Sequence, residues 1–423
     1  MKGLLWFRQD LRLSDNPALV SLSKQCQQAI MLFIIDPQWF KKNEFQSTQL
    51  GNFREIFLYQ SLKELDAELK QYNQHLVIKV GDPLVIIPAL CKKHGIDYVT
   101  FTQHVGGKAQ HQTDHLAKKL LGKVQICQSH TLFFESQLRL NRENFPRSFH
   151  AFREHVTCNN LLPCIPISIP DSLPTAMNEA NDYWRNEHFH QLLGFYQGGE
   201  AAAMMRLKTF FWNTPGLQQF HQSRTDIEGL QSTSRFSAWL ANGCLSVRSI
   251  AAELDKYEYR YGDEGASKIL YQRLMYREYY QWRFALFGQS LFKSYGSNKP
   301  CLTEHEATAY KLWQQAKTPY PLVNACMKQL NNMGYLSYLG RNLVASCLID
   351  ELNIDWRYGA AYFQQQLIDH DIAINYGSWQ TLAEKGRTVM DFYADLEQYS
   401  QEYDPDGIFV MRWSKLTDKI SLR

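Results

Sequence analysis

Residues 52–80 read NFREIFLYQSLKELDAELKQYNQHLVIKV, and this stretch decides how the first third of the chain folds. Phe57, Leu58, Leu62, Leu65 and Leu69 recur at the three- and four-residue steps of one helical face, with Glu, Lys and Gln filling the other. After Tyr72 and Asn73 the period changes, and HLVIKV (75–80) is a short apolar run rich in branched residues, the pattern of a buried strand. The same strand pattern occurs in GLLWFR (3–8), AIMLFIID (29–36), DYVTF (97–101) and VQICQS (124–129). A second helical segment, GKAQHQTDHLAKKLLG (107–122), ends in lysines and glycine as helices do. Strand and helix in alternation predict a parallel, doubly wound sheet covered on both faces, an α/β domain over residues 1–130.

No G-x-G-x-x-G follows the first strand and no G-x-x-x-x-G-K-[ST] occurs, so a nucleotide at this sheet needs other contacts. Residues 131–197 lose periodicity. LLPCIPISIPDSLP (161–174) places four prolines in fourteen residues and reads as an interdomain connection. From 198 to 423 the apolar residues follow helical spacing between Gly and Pro breaks, which predicts an all-α second domain.

The apolar fraction of 45% and charged fraction of 21% belong to a globular protein. A net charge of +3 leaves nucleic-acid binding to a local groove rather than to bulk charge. Nine cysteines without a Cys-x-x-Cys pair point away from structural zinc and iron–sulfur clusters and toward a reducing compartment, so no metal is expected. MKGLLWFRQDLRL carries charge inside what would be a signal's apolar core, and no long apolar run occurs; the expectation is a cytoplasmic monomer with no membrane segment. Aromatics reach 13%, including 10 Trp, which favours a stacked ligand.

LIDHDIAINYGSWQ (367–380) sets Asp369, Asp371, Asn375 and Trp379 in an otherwise apolar segment, the last three along one side of a helix. An internal ion pair or a helix cap accounts for either carboxylate alone. With LLWFRQDLRLSDNPAL (4–19), GGEAAAMMRLKTFFW (198–212), STSRFSAWLANGCLS (232–246), TPYPLVNACMKQLNNMGYLSYLGRNLVAS (318–346) and DWRYGAAYFQQQLIDHDIAINYGSWQ (355–380), the chain resembles the DNA photolyase and cryptochrome family in order and over nearly its whole length, most of all the cryptochrome DASH branch.

That resemblance implies an α/β domain followed by a helical domain holding FAD. It assigns Thr233, Ser234, Arg235 and Ser237 to the flavin phosphates, where hydroxyls at a helix start suit a pyrophosphate. Phe220 stands where a tyrosine lines the FAD pocket. Arg341, Asp369 and Asp371 match positions beside the isoalloxazine ring, and Asn375 matches the residue opposite the nitrogen protonated on reduction. Trp379 and Trp356 match the inner members of the tryptophan chain that refills a photoexcited oxidised flavin. For DNA, the matching positions are Arg273, Tyr276, Arg277, Asn342 and Thr381.

Several positions depart from the family. Thr303 stands where the outermost chain tryptophan is expected, which cuts the path or reroutes it through a neighbour such as Trp313. Arg273 replaces the glutamate that contacts damaged bases; it can bind phosphate but cannot accept a hydrogen bond from a thymine edge. Tyr276 and Thr381 replace aromatic residues that pack on the dimer, the former as in DASH proteins. Ser337, Tyr338 and Asn342 fill the places of the histidines that six-four repair needs. Gly107 replaces the glutamate that holds a folate antenna, so that antenna is expected weak or absent. The resemblance therefore implies light-driven repair of cyclobutane pyrimidine dimers, best in single-stranded DNA, with a cryptochrome-type light or redox receptor and an unidentified signalling partner as the alternative.

Overall fold

The computed structural model describes residues 1–120, 122–182, 196–221, 226–230, 233–262, 265–288, 302–383 and 396–420. The chain divides into two compact units, each gathered from separate segments: Met1–Trp39, Ile56–Leu217 and Phe236–Leu291 in the first, Phe40–Glu55, Gln218–Arg235 and Phe292–Arg423 in the second. The limits drawn at residues 130 and 197 mark changes of composition along the chain; the units are assembled from pieces, and the two descriptions cut it at different places.

The first unit is built on β1 (Lys2–Phe7), β2 (Gln28–Ile35), β3 (Leu76–Val80), β4 (Tyr98–Thr102) and β5 (Val124–Cys127), all parallel and ordered β3-β2-β1-β4-β5. A short β6 (Thr175–Ala176) adds to the start of β2. In β1 and β2 every residue after the first is buried, so both faces are covered and the strands read as unbroken apolar runs. Leu4, Trp6, Ile30, Leu32, Val99 and Phe101 form the core. Crossover helices α1 (Pro17–Gln25), α2 (Asn52–Gln71), α3 (Pro83–His94) and α4 (Gly107–Lys119) alternate with the strands. Asn16 and Asp82 cap α1 and α3, accepting from the Leu19 and Leu84 amides. Gly107 opens α4.

Residues 131–182 are sparse in regular structure, with α5 (Glu135–Leu138) and α6 (Phe149–Cys158). Then follow α7 (Glu200–Lys208), α8 (Ser237–Asn242), α9 (Val247–Tyr261) and α10 (Gly265–Phe287). Buried charge ties α9 and α10 to the loops after the sheet. Arg248 lies 3.6 Å from the Asp15 carboxylate, and Glu278 accepts from the amides of Leu132 (2.8 Å) and Phe133 (3.2 Å) and from Trp282 Nε1 (2.8 Å).

The chain leaves β1 first toward β2 and later returns to place β4 on its other side, which makes the C-terminal ends of β1 and β4 the switch point of the sheet. That crevice is lined by the protein's own polar groups. Arg8 lies over the Trp6 ring at 4.5 Å and donates to Thr113 Oγ1; burial holds its guanidinium down to about 10. Thr102 Oγ1 donates to Asp10 at 2.5 Å. His104 and His130 meet Nε2 to Nε2 at 2.9 Å, and burial, with Arg8, Arg12 and Arg277 near, holds both imidazoles well below their ordinary value.

The second unit is helical: α11 (Glu304–Gln314), α12 (Pro321–Met333), α13 (Tyr338–Ser346), α14 (Trp356–Gln366), α15 (Ile372–Ala383), α16 (Leu396–Tyr403) and α17 (Ile408–Ile420). Ser337 caps α13 and Asp355 caps α14. Among the described residues no helix is long and apolar enough to cross a membrane.

The neutral histidine pair sets the acid limb of stability. Below pH ~6.5 the unfolded chain protonates His104 and His130 while the native chain does not, so stability present above that pH falls as pH drops toward the depressed native values. Each such group steepens the loss by up to about 1.4 kcal/mol per pH unit. Urea midpoints measured from pH 7.5 to 5 are expected to fall, and His104→Asn to flatten that fall.

Candidate functional site

The segment that stood out in sequence lies where α14 and α15 cross, and a glycine allows the crossing. A Cβ on Gly359 would sit 2.2 Å from Trp379 Cη2 and 2.6 Å from Trp379 Cζ3, so the indole rests directly on the α14 backbone. Phe363, one turn further along α14, meets Trp379 edge to face at 5.0 Å. One turn before each crossing residue, Trp356 and Tyr376 meet edge to face with ring centroids 6.1 Å apart. Asn375 is buried, and its Nδ2 donates to the Ala360 carbonyl at 2.9 Å, leaving the amide oxygen as its other polar group. Asp371 accepts from the amides of Ala373 (2.9 Å) and Ile374 (3.1 Å) and so caps α15.

Asp369 lies in the loop between the two helices, and its Oδ2 pairs with Arg341 Nη2 of α13 at 2.7 Å. Arg341 is steadied by donation from Nε to the Leu336 carbonyl at 2.8 Å. Two further groups stand near this pair that spacing in the sequence did not reveal. Arg54, from the start of α2, donates to Gln364 O at 2.8 Å; desolvation holds its guanidinium down to about 10 against the pull of Asp369. His370 is buried and held well below its ordinary value by desolvation, Arg54 and Arg341, so it stays neutral. The signal for His370 was its place between two aspartates; Arg54 carried none.

Buried polar atoms without a protein partner mark where a ligand belongs. In this unit, among the described residues, they include Asp369 Oδ1, Asn342 Nδ2 on α13, Gln380 Oε1 on α15 and Arg235 Nε. The loop toward Arg235 is packed closely on α13. Gly229 has φ +66°, and a Cβ there would meet Ser337 Cβ at 2.7 Å; Thr233 Oγ1 and Tyr335 both donate to the Gly229 carbonyl. Arg235 takes the left-handed conformation, φ +58°. Ser234 is half-buried and Phe220 buried in the same unit, whereas Ser237 starts α8 in the first unit and is exposed.

The residues matched to DNA contacts are divided between the two units. Thr381 is exposed on α15, its hydroxyl donating to Gly377 O at 2.9 Å. Arg273 and Tyr276 are half-buried on α10, and one face of Tyr276 is covered by Phe149, stacked at 3.5 Å. Arg277, expected among the DNA contacts, is buried and donates to the His130 carbonyl, giving the loop after β5 a donor. Thr303 is the N-cap of α11, closing a capping box with Glu306. Trp313 is fully buried, donates to Val344 O and packs on Tyr310 and Tyr362.

A cation, a half-paired carboxylate, an amide oxygen and unpaired amide donors and acceptors suit the rim of an isoalloxazine ring, which presents N–H donors and carbonyl acceptors together. The residues present therefore fit FAD, with Arg341, Asp369, Asn342, Asn375 and Gln380 on hand to hold the ring. Filling the crossing should disturb this arrangement. Gly359→Ala is expected to displace the Trp379 indole at a cost of about 1–3 kcal/mol, read as a lower melting temperature and reduced flavin retention after desalting.

The comparisons with known proteins agree with this geometry. Residues 3–168 match the family model for DNA photolyase, and residues 269–421 match that for the FAD binding domain of DNA photolyase. The chain is 36% identical over 419 residues to cryptochrome DASH of Idiomarina loihiensis, covering 97% of this chain and 92% of that protein. It is 36% identical over 428 residues to cryptochrome DASH of Vibrio parahaemolyticus, covering 97% and 93%. Among solved structures it resembles the Synechocystis sp. PCC6803 cryptochrome, with a TM-score of 0.90 and 30% identity over 99% of this chain and 89% of that one. A bacterial class III photolyase from Agrobacterium tumefaciens follows, with a TM-score of 0.82 and 25% identity over 99% and 87%. With an α/β domain and an FAD-binding helical domain joined in this order, the chain belongs to the DNA photolyase and cryptochrome family.

Proposed function

We propose that the protein is a blue-light-dependent lyase that splits cyclobutane pyrimidine dimers, acting on single-stranded DNA as a monomer. The observation that carries this reading is Asn375. Its Nδ2 is committed to the Ala360 carbonyl, so the side chain offers an amide oxygen that accepts a hydrogen bond from an N–H and does not itself titrate. Such a group favours the protonated, reduced form of the ring it faces, the state that dimer splitting requires. When bound, FAD supplies the excited-state electron that opens the dimer.

The chain's own residues bind and orient. Arg341, held by Asp369 and the Leu336 carbonyl, presents a fixed positive charge that stabilises electron density on the ring. Arg54 adds a second cation, while the neutral His370 takes no proton from the site. Thr233, Ser234 and Arg235 supply hydroxyls and a cation for the phosphates. Arg273 contacts phosphate rather than base. Single strands are preferred because an unpaired dimer leaves its stack at a smaller energetic cost.

A second reading, a cryptochrome-type light or redox receptor, is favoured by one observation: Phe149 already stacks on Tyr276, the ring expected to pack against a lesion. Repair of dimer-containing oligonucleotides under blue light, with the flavin chemically reduced, separates the two. Repair of the single strand well ahead of the duplex is expected; none on either, with FAD bound and photoreducible, overturns the lyase in favour of the receptor. Arg273→Ala is expected to weaken single-strand binding and lower its salt slope by about 1, checked by fluorescence anisotropy across a salt series.

A further inference from the structure

Trp356 sits at the N-terminus of α14, and Thr303, the N-cap of α11, stands where the resemblance expects the next tryptophan of the chain. The helical wheel of α14 rules on which neighbour continues the path. Trp356, Gly359 and Phe363 share one face at steps of three and four residues, the face that meets Trp379 and Tyr376 of α15. Tyr358 and Tyr362 lie on the opposite face, where they pack on Tyr310 and Trp313 of α11. Trp313 therefore belongs to the far side of α14 and makes no continuation from Trp356. Among the described residues, the ring against Trp356 is Tyr376.

Tyr376 has the chemistry of a terminal donor. A phenol is oxidised only when its proton can leave, and Tyr376 Oη donates to the Gln364 side-chain carbonyl at 3.3 Å. Gln364 is partly exposed, so the proton has a way to water. Burial and the neighbouring Glu44 carboxylate push the phenol above its ordinary range, so it keeps its proton at rest. Phe363, the other ring on this face, has no ionisable proton and is far harder to oxidise.

We infer that Tyr376 is the last electron donor of the intramolecular path that runs through Trp379 and Trp356. This rests on the reading that these two tryptophans refill the photoexcited oxidised flavin, which is the oxidant. One electron passes from Tyr376 to the oxidised Trp356 indole, restoring neutral tryptophan. The Tyr376 O–H bond breaks, its proton passes through the Gln364 carbonyl to water, and a neutral phenoxyl radical remains.

The test is flash photolysis and freeze-trapped electron paramagnetic resonance of the flavin-loaded full chain in four forms: parent, Tyr376→Phe, Tyr376→Trp and Trp379→Phe, each checked for flavin content by absorbance. The parent is expected to form a long-lived tyrosyl signal. Tyr376→Phe, which keeps the ring packing, should lose that signal, show a short-lived tryptophanyl species and photoreduce more slowly. Tyr376→Trp should recover photoreduction with a tryptophanyl signal in its place. A tyrosyl signal that survives in Tyr376→Phe, or its absence from a parent whose photoreduction still needs Trp379, overturns the role of Tyr376 and leaves the tryptophan path standing. Photoreduction undiminished in Trp379→Phe overturns the path itself, and Tyr376 with it.

Discussion

A carboxylate taken out of water has to be paired on both oxygens, and Asp369 is paired on one. Its Oδ2 holds Arg341 at 2.7 Å, while Oδ1 is buried with no partner among the described residues. Breaking such a pair costs about 3–5 kcal/mol, so the arginine and the loop that carries the aspartate are fixed together. The loop is pinned on both sides of the carboxylate, with the Ile368 amide donating to Gly334 O and the His370 amide to Leu367 O. Two arginines then stand against one carboxylate, and His370 resolves the excess by staying neutral. What remains is a cluster with positive charge and an open acceptor, fixed by the protein's own contacts, which is the condition for stabilising charge that appears on a bound ring.

The sheet was legible in sequence because its strands are buried on both faces. When every residue after the first is buried, as in β1 and β2, the sequence reads as a continuous apolar run and the helices between show themselves by period alone. What composition could not register is how pieces far apart in sequence gather into one unit. Residues 236–291 have the same helical character as those that follow, yet α9 and α10 reach the loops after the sheet through Arg248 and Asp15, Glu278 and the 132–133 amides, and Arg277 and the His130 carbonyl. Each of those is a single polar contact across more than a hundred residues, and a pattern taken over neighbours cannot contain it.

The site was legible to the extent that its residues are close in sequence. Asp369, Asn375 and Trp379 share a segment whose polarity contradicts its surroundings, and that contradiction is local. Asp371 shows the limit of the reasoning, since its carboxylate also caps α15, a role any helix start can ask of aspartate. Arg54 was invisible because nothing in a surface helix distinguishes a cation that turns inward. Arg277 differs in the opposite sense: the resemblance suggested a contact with DNA, while its buried guanidinium donates to the His130 carbonyl. Gly359 was overlooked because the absence of a side chain leaves no trace in a periodicity, although the packing of Trp379 depends on it.

The capping box at Thr303 gives the departure in the tryptophan chain a structural sense. Threonine there closes the first turn of α11 with Glu306, a task a tryptophan does not perform, so the local gain in helix stability and the loss of a ring come from one substitution. A path that ends on an indole with no acceptor for its N–H proton keeps a positive charge that draws the electron back. A path that ends on tyrosine sheds a proton, and return of the electron must then wait for the proton to return as well. On the proposed path, charge separation needs no third indole at the surface: a phenol one ring from Trp356, with an amide carbonyl at 3.3 Å and a partly exposed glutamine to pass the proton on, would hold the electron apart by chemistry rather than by distance.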